Sequence, residues 1–161
     1  MLHYAVTEKE RTLSMSQDEY ITPTPEIIGR VASKFGYSQL LGMKIVTVHE
    51  GVGRVTISVD ERLMHPKMIV HGGVIFTLAD TAMSMALISI FPPGTSVSTI
   101  EAKVNYLLPV REGELLAEAT ITHRGRSIAV TEATVFNIVN SERKAVARVL
   151  GTFSIRVPKA E

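Results

Sequence analysis

The sequence predicts an α+β domain in which a curved antiparallel sheet wraps around one long buried helix. Three observations predict it. The run Ile69–Phe91 is apolar almost throughout and is stopped by Pro92-Pro93-Gly94, so it reads as a helix without a solvent face, one that other elements must enclose. Residues 96–157 alternate apolar and polar side chains between turn signals, the pattern of strands. The connections among those strands are short, which favours antiparallel neighbours, and a helix laid on one sheet satisfies every element.

Each element has a local cause. Residues 1–23 are polar and form an N-terminal extension or short helix, and residues 24–161 form the single domain. Thr24-Pro25-Glu26 is a helix start, with Thr24 as N-cap, Pro25 at the first helical position and Glu26 complementing the dipole. Ile27, Ile28, Val31, Ala32 and Phe35 make its apolar stripe and Gly36 ends it. Leu41–Val48 and Val52–Val59 alternate and are joined by Glu50-Gly51, a hairpin signal. His65-Pro66-Lys67 is a loop, since proline disfavours helix at the residue before it. The buried helix runs from about Gly73 to Ile90. The strands Ser96–Leu107, Leu115–Thr122, Ser127–Val139 and Lys144–Val157 follow, separated by the turns at Glu112-Gly113, Arg124-Gly125-Arg126 and Asn140-Ser141-Glu142.

Composition narrows the function. A chain of 161 residues with 45% apolar and 20% charged residues can bury a real core. A net charge of +1 advertises neither nucleic acid nor an anionic membrane. The absence of cysteine excludes disulfides, thiolate catalysis and Cys-ligated metals, and fits the cytoplasm. Met1–Tyr20 lacks a signal-peptide core. Ile69–Phe91 is long enough to span a bilayer, but Asp80 at its centre costs about 2.5–3.5 kcal/mol on insertion scales, so no membrane span is expected. No Gly-x-Ser-x-Gly elbow, Walker loop or dinucleotide fingerprint is present. His65 and His71 lack a third partner at metal-site spacing, so no metal is expected.

Asp80 is the only formally charged side chain between Lys67 and Glu101. A carboxylate kept in such a segment needs a partner, an interface or a chemical task. Just ahead of it, His71-Gly72-Gly73 offers a helix N-terminus with unpaired N–H groups, where glycines allow close approach to the backbone. Such a site can hold a carbonyl oxygen that is becoming an oxyanion. Gly73, Phe76, Thr77, Asp80 and Ser84 share one helix face. Asp80 is nevertheless roughly 10 Å along the axis from the glycines. A two-fold dimer can bring the glycines of one subunit to the aspartate of the other.

Val70-His71-Gly72-Gly73-Val74-Ile75-Phe76-Thr77-Leu78-Ala79-Asp80-Thr81-Ala82 resembles the signature of hotdog-fold acyl-CoA thioesterases of the phenylacetic-acid-degradation type. Glu101-Ala102-Lys103-Val104-Asn105-Tyr106-Leu107-Leu108-Pro109 and His123-Arg124-Gly125-Arg126 resemble the strands that follow in that family. The resemblance implies the hotdog fold and hydrolysis of acyl-CoA to free acid and coenzyme A, with no cofactor beyond the substrate. It implies that Asp80 is the general base or nucleophile and that the Gly72 N–H polarises the thioester carbonyl. His71 supports the turn, Thr99 holds the attacking water, and Gly73, Val74, Phe76 and Thr77 line the substrate. Arg124, Gly125 and Arg126 approach coenzyme A, where the arginines can meet phosphates. Many members carry an asparagine that contacts the thioester six residues before the motif histidine. Here His65 stands in its place and can donate through one ring nitrogen.

Ordinary readings stand beside these. Asp80 could be a structural carboxylate, Gly72-Gly73 a tight packing site, and Arg124 and Arg126 solvated turn charges. Phe76, Met83, Met85 and Leu87 read as plain core. The principal alternative is a non-catalytic acyl-CoA-binding or sensing protein on the same fold. A hydratase and a structural interaction module are further rivals. The expected assembly is a homodimer, extended to a homotetramer through exposed sheet edges.

Overall fold

The computed structural model describes residues 36–158. The extension 1–23 and the expected helix over 24–35 lie outside them. Helix α1 spans Gly36–Leu41, and strands β1 (Lys44–His49) and β2 (Val52–Ser58) form the first hairpin. A 3-10 turn at Glu61–Leu63 leads to two short strands, β3 (Met64–His65) and β4 (Ile69–Val70), and then to helix α2 (Gly72–Ile88). Strands β5 (Ser96–Tyr106), β6 (Glu114–Arg124), β7 (Ile128–Val139) and β8 (Glu142–Arg156) complete the order.

One six-stranded sheet runs β1-β2-β6-β7-β8-β5, and β3 and β4 pair separately. Every pairing is antiparallel. Helix α2 lies against β2, β6, β7, β5 and β8, so the sheet curls around it. Leu78, Ala79, Ala82, Met83, Ala86 and Leu87 are fully buried on that side. Truncating one of the larger ones, such as Leu78, to alanine would cost about 2–5 kcal/mol by loss of transfer energy and creation of a cavity. Small residues set the distance between helix and sheet. A Cβ on Gly53 would fall against the Ala82 carbonyl of α2, and one on Gly151 would meet the Met83 side chain at 3.1 Å.

Both ends of α2 are tied down. At the C-terminal end Ser89 Oγ donates to the Ala86 carbonyl and accepts from Gly51 N–H, at 2.7 and 2.8 Å. Gly51 sits in the β1–β2 turn, where Glu50 and Gly51 have φ of 44° and 80°, the left-handed pair that a two-residue hairpin turn requires. At the N-terminal end His71 N–H donates to Leu63 and Val70 N–H to Val110, each at 2.8 Å.

Three expectations are corrected. Strand β1 starts at Lys44 rather than Leu41, after Gly42 at φ 68° stops α1. His65 ends strand β3 rather than lying in a loop, while Pro66-Lys67 are the expected loop, the tip of the β3–β4 hairpin closed by Met68 N–H on the His65 carbonyl at 2.8 Å. Strands β5 and β6 are not neighbours: β5 pairs with β8, and β6 with β2 and β7. The connection after Tyr106 crosses the end of the sheet instead of turning back, and it drives Val110 into the core.

Candidate active site

Helix α2 is not enclosed all round. Phe76, Thr77, Asp80, Thr81, Ser84 and Met85 are half-buried, in contrast to its sheet-facing residues. In the single chain Asp80 is therefore at the boundary of the core, and the helix expected to lack a solvent face leaves this one uncovered by the sheet. The Thr99 hydroxyl of β5 donates to Asp80 Oδ1 at 2.7 Å. The second carboxylate oxygen has no hydrogen-bond or ion-pair partner among the described residues. An acceptor oriented on one side and open on the other can take a proton from a water or attack an electrophile.

The N-terminus of α2 is the second part. His71 is the N-cap, its Nδ1 accepting from Gly73 N–H at 2.9 Å, while Val74 N–H donates to the His71 carbonyl at 2.9 Å. Gly72, at the first helical position, has no intrahelical acceptor for its N–H, and none is present among the described residues. The Tyr106 hydroxyl donates to the Gly72 carbonyl at 2.9 Å. Burial raises the Tyr106 phenol above its ordinary 10.0, so it remains a neutral donor through the neutral range.

A single irregularity in β5 places both contacts. Pairing with β8 shifts between Thr99 and Glu101, leaving Ile100 as a bulge. Thr99 and Tyr106, an odd number of residues apart, would face opposite sides of a regular strand. The extra residue resets the alternation, so Thr99 meets Asp80 and Tyr106 meets Gly72 on the same helix.

The other expected residues divide. His65 lies near the cap, its ring centroid 6.1 Å from that of His71 and its Nδ1 accepting from Lys67 N–H at 3.3 Å. The tautomer this implies carries its proton on Nε2. Thr77 is hydrogen-bonded to the Tyr37 hydroxyl at 3.1 Å, and Thr81 Oγ1 reaches Met43 Sδ at 3.9 Å, so the segment from α1 to β1 covers part of the face beside Asp80. The Val74 side chain belongs to the core, and Phe76 is half-buried. Arg124 lies over the Phe91 ring at 4.8 Å, just past the C-terminal end of α2, so Arg124-Gly125-Arg126 is at the opposite end of the helix from Gly72. Gly125 is required there, since a Cβ would lie 2.6 Å from the Ile128 carbonyl. Within one chain Gly72 and Asp80 are roughly 12 Å apart along the axis at the rise of an ideal helix. Among the described residues no cluster of three His, Asp or Glu side chains could hold a metal ion, and no helix is long and apolar enough to cross a membrane.

A central helix wrapped by a six-stranded antiparallel sheet defines the hotdog fold. The profile of the thioesterase superfamily matches residues 68–142, which include the helix and its N-terminal junction. A putative esterase of Haemophilus influenzae is 36% identical over 109 residues, covering 68% of this chain and 78% of that protein. The acyl-coenzyme A thioesterase PaaI of Escherichia coli is 31% identical over 115 residues, covering 71% and 78%. A crystal structure of a thioesterase from Haemophilus influenzae superposes with a TM-score of 0.75 at 30% identity, over 83% of this chain and 91% of that one. The chain belongs to the thioesterase superfamily and is a thioester hydrolase.

Proposed function

We propose that the protein hydrolyses acyl-CoA thioesters to free acid and coenzyme A, at sites shared between the two subunits of a homodimer. The observation that carries this reading is the Asp80 carboxylate, held by Thr99 through one oxygen and open at the other, on a helix that is otherwise apolar. The relative named acyl-coenzyme A thioesterase supplies the substrate class.

The separation of Gly72 and Asp80 within one chain supports the shared site. In a two-fold pair the Gly72 N–H of one subunit meets the thioester carbonyl, and Asp80 of the other subunit faces the same carbon. Strand β5 is a sheet edge, paired only with β8, and its Ile100 and Tyr106 are at least half exposed, as are Leu107 and Leu108 just beyond it. A long exposed edge strand pairs readily with a second copy, and the other edge, β1, or the outer faces then serve a tetramer.

In the base route Asp80 accepts a proton from water while its oxygen bonds to the carbonyl carbon. The negative charge moves to the carbonyl oxygen, opposite the Gly72 N–H. Collapse breaks the C–S bond, and the coenzyme A sulfur leaves and is protonated. In the nucleophile route Asp80 attacks directly, expels the thiolate and forms an acid anhydride that water then cleaves. His71 holds the helix start, Thr99 orients Asp80 and the water beside it, and the Nε2–H of His65 donates to the thioester. Gly73 and Phe76 with Thr77 lie along the acyl group. Arg124 and Arg126, at the far end of the helix, face the phosphates of the substrate bound at the partner's glycines. The chemistry uses protein groups and water without a cofactor, and the setting is cytoplasmic.

The test is a thiol-release assay of the purified protein over aryl and alkyl acyl-CoAs, alongside a sizing measurement. Turnover of one class by a dimer or larger assembly is expected. No release from any acyl-CoA contradicts the reading.

A further inference from the structure

We propose that Tyr106 is a positioning residue that fixes the helix start around the Gly72 N–H, the one amide there that His71 leaves free. This deepens the proposed function and rests on its assignment of the Gly72 N–H to the thioester carbonyl. The peptide group joining Gly72 to Gly73 is held at both ends. Its N–H donates to His71 Nδ1 at 2.9 Å, and its C=O accepts from the Tyr106 hydroxyl at 2.9 Å. The amide of Val74 is also taken, by the His71 carbonyl. Of the first three helix amides, only that of Gly72 is left without a partner among the described residues.

Two further observations show why a tyrosine stands there. A Cβ on Gly72 would lie 3.0 Å from the Tyr106 ring, so the ring fills the space above the glycine and fixes how closely the backbone can be approached. Tyr106 is 52% exposed, so its outer side is open to a substrate or second subunit while its hydroxyl is committed to the turn. The bulge at Ile100 brings this residue to the helix, and the same strand carries Thr99 to Asp80. Strand β5 thus sets both chemical groups of the site, one on each subunit's share of it. Without the Tyr106 bond the 72–73 peptide is held only from its N–H side, and the turn that aims the neighbouring Gly72 N–H at the carbonyl oxygen is less rigid when charge develops there.

The experiment uses Tyr106→Phe, which keeps the ring and removes the bond. In the otherwise wild-type protein kcat should fall about tenfold, the scale of one lost hydrogen bond, with KM and the urea midpoint little changed. The second readout is the infrared carbonyl stretch of bound, carbonyl-13C benzoyl-CoA, or hexanoyl-CoA where the aryl ester is not hydrolysed, in an Asp80→Asn background that slows turnover. A hydrogen bond to the carbonyl lowers that frequency. The Asp80→Asn protein should show the lowered band, and adding Tyr106→Phe should move it back toward the free value. A band and a kcat that ignore Tyr106→Phe overturn the positioning role and leave the Gly72 assignment standing. A band already at its free value in the Asp80→Asn protein overturns the Gly72 assignment and the positioning role with it.

Discussion

The Thr99 hydroxyl donates to Asp80 Oδ1 at 2.7 Å, from an edge strand to the one carboxylate of the central helix. The bond gives Asp80 a defined direction without neutralising it. Thr99→Val removes the donor and keeps the shape. We expect kcat to fall about 10–10²-fold with KM little changed, the scale of one lost hydrogen bond to a charged group. Steady-state kinetics check it, and unchanged kcat would show that Asp80 is oriented by something else.

The position of Gly53 under Ala82 predicts a stability effect far from the chemistry. Gly53→Ala places a methyl group against the α2 backbone, and overpacking of this kind costs about 1–3 kcal/mol. Urea unfolding should show a lower midpoint with the same slope. A midpoint equal to wild type would mean that the helix can back away from the sheet freely.

Edge strand β5 predicts the assembly. Ile100→Lys puts a charge on the exposed bulge, a substitution that blocks edge pairing while touching no core contact. Sedimentation should show dissociation toward monomer, and thioester hydrolysis should fall in parallel, because each proposed site needs both subunits. Dissociation with full activity would place the whole site within one chain.

Acid should weaken the outer face of the sheet in a particular way. Burial pushes the Glu118 carboxyl up, but hydrogen bonds from Arg143 and Arg54 outweigh it and hold it below its ordinary 4.5. A carboxyl with a lowered folded-state pKa contributes stability above its unfolded value and loses it as pH falls through the folded one. The group is partly exposed, so the effect is about 1 kcal/mol or less. Urea midpoints between pH 7 and pH 3 should fall further for the wild type than for Glu118→Gln, and parallel curves would contradict the assignment.

Much of this architecture was legible before any coordinates, because it rests on local signals. Pro92-Pro93-Gly94 and the apolar run locate α2 within a few residues, but the same run hides the half-buried face that carries Asp80. Glu50-Gly51 and Asn140-Ser141 adopt left-handed turns, which Gly51 and Asn140 favour by residue type. What sequence could not supply is long-range. The segment Leu107–Gly113 has the proline and glycine of a hairpin turn, yet pairing of β5 with β8 at the sheet edge is decided by distant partners. The Ile100 bulge has no composition signal of its own, and without it Tyr106 reads as an ordinary strand residue. The alternation of apolar residues offers one clue: inward positions are odd at Val97 and Thr99 but even at Ala102 and Val104.

The most direct test of the central claim is the turnover of Asp80→Asn, measured by thiol release together with calorimetric binding of the same acyl-CoA. The amide keeps the size of the side chain and can still meet the Thr99 hydroxyl, but it can neither take a proton from water nor attack a carbonyl. The account predicts binding close to wild type with kcat lowered by about 10²–10⁴-fold, the usual share of a general base. Wild-type turnover by Asp80→Asn would contradict it.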